Sequence, residues 1–159
     1  MNLTRTLALT TALASAVTGG SLFAFSTFVM PALRRLPVGQ ALPAMQAINV
    51  EAPRGLLMLP LIGSAVGCVA VGAVALVRAQ TPGRGWLVVG AVAGIAAFAV
   101  TAVYHVPRND ALAGVDPTSA DAAARWLDYA VGWTRWNHVR TALALASAIA
   151  LVAGSRTEA

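Results

Sequence analysis

With 159 residues, 58% of them hydrophobic and only 11% charged, this chain is too poor in charge to coat a water-soluble globule of its size, since an ordinary soluble domain carries about 25% charged residues. Its mean hydropathy of +0.72 implies more apolar surface than one small core can bury, and lipid is the solvent that accepts the excess. The net charge of +5 comes from arginine alone, and because the arginines flank apolar stretches instead of forming a basic face with stacking aromatics, nucleic acid is set aside as a partner.

A bilayer crossing needs about 20 mostly apolar residues. The first such stretch runs from Thr6 to Met30. Its beginning imitates a cleavable signal peptide, with Arg5, an apolar Leu7–Leu13 and the triplet Ala14-Ser15-Ala16. The apolar run nevertheless continues through Phe23, Phe25, Phe28 and Val29, which favours a retained helix. A long connection follows, Pro31–Gly55, in which Leu42, Met45 and Ile48 recur at three-residue spacing, the pattern of a short helix on the membrane surface.

The second stretch, Leu56 to Val77, carries Pro60 in its first turns, where a missing backbone donor costs little. Gly63 and Gly67 give it a GxxxG spacing that lets helix backbones approach closely in lipid. Cys68, the single cysteine, lies in this apolar run, has no partner for an internal disulfide and reads as a small hydrophobe. The connection Arg78–Gly85 contains Thr81-Pro82-Gly83, a tight turn. The third stretch, Trp86 to Val106, repeats the GxxxG spacing at Gly90 and Gly94.

In the next connection, Pro107–Arg135, Thr118 and Asp121 resemble a capping box, and a helix starting there sets Trp126, Tyr129 and Trp133 on one stripe. Amphipathic aromatics of this kind favour the headgroup layer. The fourth stretch is the shortest, Trp136 to Val152, with Arg140 near its start. The expected fold is all-α: one membrane domain, 1–159, built as a four-transmembrane-helix bundle with short interfacial helices in the 1–2 and 3–4 connections.

Up-down order puts alternate helix ends on the same side. One end then collects Arg34, Arg35, Gln46, Asn49, Glu51, Arg54, His105, Arg108, Asn109, Asp110, Asn137, His138 and Arg140, whereas the other offers Arg5, Arg78, Arg84, Arg156 and Glu158. Both histidines and most acids share the first end. Arginine counts on the two sides argue mildly against the termini lying inside, and orientation stays open.

The sharpest stretch is Trp133-Thr134-Arg135-Trp136-Asn137-His138-Val139-Arg140-Thr141. Trp133, Asn137 and Arg140 are spaced by four and three and so share a helix face. An ionisable group within a span faces a cavity or a partner, which makes Arg140 with Asn137 a candidate anion or enolate site. The alternative is an arginine snorkelling to the headgroups. His105 and His138 lie on different helices and match no metal-ligand motif, so no metal is expected. There is no Gly-x-Ser-x-Gly, P-loop or paired-cysteine motif.

Gly19-Gly20 with Phe23 and Phe28, then Val29-Met30-Pro31-Ala32-Leu33, Met45 with Ile48-Asn49, Val106-Pro107-Arg108-Asn109-Asp110-Ala111-Leu112 and the Trp133–Thr141 stretch together resemble the anthrone oxygenase-like family of small membrane proteins. The resemblance spans nearly the whole chain and departs from the family pattern at His105 and Arg108. It implies oxidation of an activated methylene to a carbonyl by dioxygen, without a cofactor, on a lipophilic aromatic small molecule. Such chemistry needs a base, enolate-stabilising groups and a water-poor pocket. On the clustered polar end the expected catalytic residues are His138 as base and Arg140, Asn109 and Asn137 as oxyanion stabilisers. Trp136, Trp133, Asn49, His105 and Phe28 are the expected substrate contacts.

The expected setting is a bacterial-type plasma membrane, with the lipid bilayer and the aromatic molecule as partners, and the features are compatible with a homo-oligomer. Two other readings remain: a non-catalytic accessory or small-molecule-binding protein whose polar cluster is structural, and a small transporter. The transporter reading is the weaker, because the midplane is almost bare of the polar groups that transport sites place there.

Overall fold

The computed structural model describes residues 3–78, 80 and 82–156, and those residues form helices and turns with no strand. Four helices are long and apolar enough to cross a membrane: α1 (Leu3–Leu33), α3 (Met58–Val77), α4 (Arg84–Ala113) and α5 (Ala122–Arg156). A shorter helix, α2 (Val38–Glu51), fills most of the first connection and ends in a 3-10 turn, Ala52–Arg54. The protein is an integral membrane bundle.

Each long helix packs on two others, α1 on α3 and α5, and α4 on α3 and α5. The four therefore close into a ring in which α1 and α4 stand diagonally opposite. Backbone approach depends on missing side chains at defined points: a Cβ on Gly90 would lie 2.7 Å from Leu151 Cγ and 3.1 Å from Leu151 N. Gly67 meets Thr11 in the same way, whereas Gly63 faces open space, so of the GxxxG glycines in α3 only the second serves packing.

The fourth span is longer than its hydropathy suggests. The helix expected to begin near Trp136 starts at Ala122 and runs unbroken for 35 residues, which joins the expected interfacial helix of the 3–4 connection to the span itself. Its aromatic stripe is not spread among headgroups: Trp126, Tyr129 and Trp133 are all buried, packed with Leu42 and Met45 of α2, Met30 of α1 and Leu112 of α4. Burying these rings under α2 removes several hundred Å² of apolar surface from water or headgroups. Gln46 fixes α2 in place by donating from Nε2 to the backbone oxygens of Leu112 (3.0 Å) and Val115 (2.9 Å).

The expected capping box at the start of α5 does not form. Thr118 donates its hydroxyl to Asp116 Oδ1 at 2.8 Å, and Asp121 is itself the residue whose carbonyl opens the helix by accepting from Arg125 N. In the α3–α4 turn, Gly83 adopts the left-handed φ of 69° that a side chain would resist. Thr81 and Glu158 lie outside the described residues.

Two spans share a local distortion. α1 widens into a π turn at Phe25–Val29 and α4 at Thr101–His105, so that Met30 N bonds to Phe25 O and Val106 N to Thr101 O. Each wide turn stands just ahead of a proline, Pro31 or Pro107. Proline lacks the amide hydrogen and its ring collides with the carbonyl four residues back, and one extra residue in the preceding turn moves that carbonyl aside.

Candidate functional site

Between the four spans and α2, at the end where the π turns occur, lies a cavity of about 380 Å³, a size typical of ligand pockets. Its walls are mostly apolar, from Leu22 and Phe25 of α1, Met45 and Ile48 of α2, Met58 and Leu61 of α3 and Trp133 of α5. Six polar side chains interrupt them: Thr18, Asn49, Thr101, His105, Asn109 and Arg140. Pro53 and Val106 belong both to this lining and to the exposed surface. Leu56, Leu59 and Val103 near them are also exposed, so the outer surface between the start of α3 and the π turn of α4 is largely apolar.

Arg140 is the only charged residue in the lining, and it is 7% exposed. Its Nε donates to Asn137 Oδ1 at 2.7 Å and its Nη1 to Thr101 Oγ1 at 3.2 Å, while the guanidinium carbon stands 5.2 Å from the centre of the Trp133 ring. Asn137 is fully buried and immobilised from the far side, donating from Nδ2 to Leu22 O at 2.7 Å and to Ser26 Oγ at 2.5 Å. The partners of this cation are neutral. Paired carboxylates normally accompany a buried guanidinium, so the charge here is left available to the cavity.

A second polar group lies on the same wall. Asn109 Oδ1 accepts from Tyr129 Oη at 2.9 Å and from Trp133 Nε1 at 3.2 Å, and Asn49 Nδ2 donates to the same tyrosine oxygen at 3.2 Å. These bonds use one end of each amide. The Asn109 amino group and the Asn49 carbonyl keep their capacity for a ligand.

His105 is almost fully buried and follows Thr101 by one turn of α4. Its Nδ1 lies 3.3 Å from Val100 O and its Nε2 3.3 Å from Trp133 O, with the ring edge-on to Trp133 at 5.2 Å between centroids. Neutral imidazole has one N–H and satisfies one carbonyl. After accepting a proton the ring donates to both.

Of the residues expected from the sequence, Arg140, Asn109, Trp133, Asn49 and His105 line the cavity, and Asn137 stands behind Arg140. Three face elsewhere. His138 is exposed and outside the lining. Trp136, 40% exposed, lies against Tyr104 with ring centroids 5.1 Å apart, and Phe28 is 63% exposed on the outer surface of α1. Neither forms a wall for a ring in the cavity.

The sequence reading did not single out Thr18, Leu22 or Thr101. Thr101 was legible from its position four residues before His105, on the same helix face. The π turns carry one signal, the proline after each. Among the described residues no three His, Cys, Asp or Glu side chains come together.

A protein-family model described as anthrone oxygenase matches residues 54–150, well over half of the chain. That segment includes Thr101, His105, Asn109, Trp133, Asn137 and Arg140, while Thr18 and Asn49 precede it. No curated protein and no solved structure matches.

Proposed function

Because the chain belongs to the anthrone oxygenase family, we propose that its cavity holds a flat, lipophilic, anthrone-type molecule whose activated methylene is oxidised to a carbonyl by dioxygen. The single observation that carries this reading is Arg140, a buried guanidinium with neutral partners bordering an apolar cavity. A preorganised cation in a water-poor site is worth most where negative charge develops during reaction. An enolate supplies that charge.

Loss of one methylene proton to His105 leaves the enolate, its oxygen against Arg140. The electron-rich carbon gives an electron to dioxygen and combines with the superoxide formed, which takes up a proton to yield a hydroperoxide. Loss of the remaining C–H proton with cleavage of the O–O bond then leaves the carbonyl and releases water. The balance is one CH2 and one O2 to one C=O and one H2O. Asn109 and Asn49 orient the substrate through their unused amide ends, Trp133 is the wall on which the ring system rests, and Asn137 positions Arg140. The lipid bilayer delivers the molecule through the apolar surface beside Val106, and a bacterial-type plasma membrane is the setting we assign.

Oxygen uptake by purified protein with an anthrone-type substrate tests the scheme. Arg140→Met is expected to lower turnover by about 10²- to 10³-fold, the usual loss on removing an oxyanion donor, and His105→Ala by about 10²-fold or more. Unchanged turnover in both variants ends this mechanism. One observation favours a second reading, a non-catalytic binder of lipophilic aromatics: both ring nitrogens of His105 already face backbone carbonyls. Tight binding of the substrate with no oxygen consumption would establish that alternative.

A further inference from the structure

Beneath the large cavity, towards the middle of the bundle, lies a second and much smaller void of about 10 Å³. Thr18, Leu22, Leu61 and Thr101 border both spaces, so the small void sits under the floor of the large one. Its polar lining comes from Ser15, Thr18, Ser64 and Thr101. A space of about 10–15 Å³ on this measure accommodates one water molecule, provided that two to four polar partners surround it.

The hydrogen-bond inventory of these hydroxyls is uneven. Thr101 Oγ1 donates to Ala97 O at 3.1 Å and accepts from Arg140 Nη1 at 3.2 Å, which leaves it one lone pair. Ser64 Oγ donates to Leu61 O at 3.0 Å and keeps acceptor capacity. Thr18 Oγ1 is different: its residue is 3% exposed, and the oxygen has no hydrogen-bond partner among the described residues. A buried hydroxyl left in that state is a net loss to the fold, and native structures resolve such losses with ordered water.

We propose that the void between Thr18, Ser64 and Thr101 is a binding site for one ordered water molecule, which accepts from the Thr18 hydroxyl and donates to Thr101 and Ser64. Three bonds of this kind are the usual complement of a buried water. A diatomic gas does not fit the same lining, because it has no hydrogen to offer the lone pairs of Thr101 and Ser64, and apolar guests occupy apolar voids. The water stands one hydroxyl away from the Arg140 guanidinium and tethers α1 to α4 across the diagonal of the bundle. The water site does not rest on the reaction proposed for the larger cavity.

Thr18→Val separates a wet void from a dry one by the sign of its effect. Valine and threonine have nearly equal helix propensity, so the exchange isolates the hydroxyl. If water is bound, the variant loses an anchor for it and the melting temperature of the purified protein falls by about 2–4 °C. If the void is dry, the substitution removes an unsatisfied group and the melting temperature stays level or rises, which overturns the proposal. A density map of the wild-type protein that resolves waters supplies the second measurement, needed should the variant fail to fold. A peak within hydrogen-bond reach of Thr18, Thr101 and Ser64 is expected, and a void without one overturns the site. Neither measurement uses a substrate, so both outcomes are distinct from the fate of the oxygenase reading.

Discussion

The two halves of this bundle are built from the same four spans by opposite rules. Near Leu3 and Arg156 the interior consists of Ala8, Ala12, Cys68, Val71, Ala75, Leu87, Ala91 and Leu151, with glycines where backbones approach most closely. At the other end it consists of Met30, Leu42, Met45, Trp126, Tyr129 and Trp133, and the chain there widens into two π turns. Small residues bring helices together and leave no room. Large side chains anchored by hydrogen bonds, such as Trp133 on Asn109, hold the helices apart and keep the cavity open. The cavity is thus a product of construction, since Tyr129 and Trp133 beside it are themselves held by hydrogen bonds to Asn109.

This contrast predicts that substitutions in the closed half cost stability and those in the open half cost activity. The largest stability effect is expected at Gly90. A valine there would drive its Cβ into Leu151, including the Leu151 backbone, and overpacking of this kind costs about 3 kcal/mol. Denaturation of Gly90→Val in detergent should show that loss, while turnover per folded molecule stays at the wild-type level. Equal damage to activity would mean that the two halves are coupled. At Asn109 a mixed result is expected. Asn109→Ala leaves the hydroxyl of Tyr129 and the indole N–H of Trp133 without their shared acceptor, a loss of about 2 kcal/mol, together with weaker substrate binding measured by titration. A variant with wild-type affinity would remove Asn109 from the site.

A smaller effect is expected where the sequence pointed and the structure did not. His138 sits next to Asn137 in the chain, but one residue turns an α-helix by about 100°, which is enough to carry the imidazole from the interior to the exposed surface. His138→Ala should therefore change stability by no more than about 0.5 kcal/mol and leave turnover intact. A large loss of turnover would restore it as the base and displace His105.

That residue marks the boundary of what the sequence could tell. Composition and apolar length reveal four spans because lipid imposes both, and alternation of helix ends brings the polar residues to one end. The spacing of Trp133, Asn137 and Arg140 puts them on one face, as the bond from Arg140 to Asn137 displays. Which side of a helix faces inward depends on packing partners distant in the chain. Thr18 and Thr101, 83 positions apart in the sequence, meet under the cavity only because α1 and α4 stand across the ring. The start of α5 was hidden for a related reason: Trp126 and Tyr129 look like headgroup anchors until α2 folds over them.

The smallest effect expected concerns the first turn of α5, at the exposed edge of the open half. Asp121 accepts from Arg125 Nε and from Ser119 Oγ, and these bonds, the arginine foremost, hold its carboxyl below the ordinary value of 3.8. A carboxyl whose pKa is lower folded than unfolded contributes stability that is present above the unfolded pKa and disappears as pH falls through the folded one. The part of the melting temperature owed to this carboxyl should accordingly be level from pH 7 down to about 4 and decline below it. Because the pair is exposed, the decline is small. Asp121→Asn should remove this part of the change and Asp116→Asn a similar one, because the amide and hydroxyl of Thr118 hold the Asp116 carboxyl down in the same way. The site of the change is also testable, since Trp126, Trp133 and Trp136 belong to α5 and only Trp86 begins the span at the opposite end. Acid-induced fraying of α5 should alter emission from the three and spare the fourth, as single-tryptophan variants would report. A Trp86 signal that moves first would place the weak point of the bundle in its closed half and reverse the comparison.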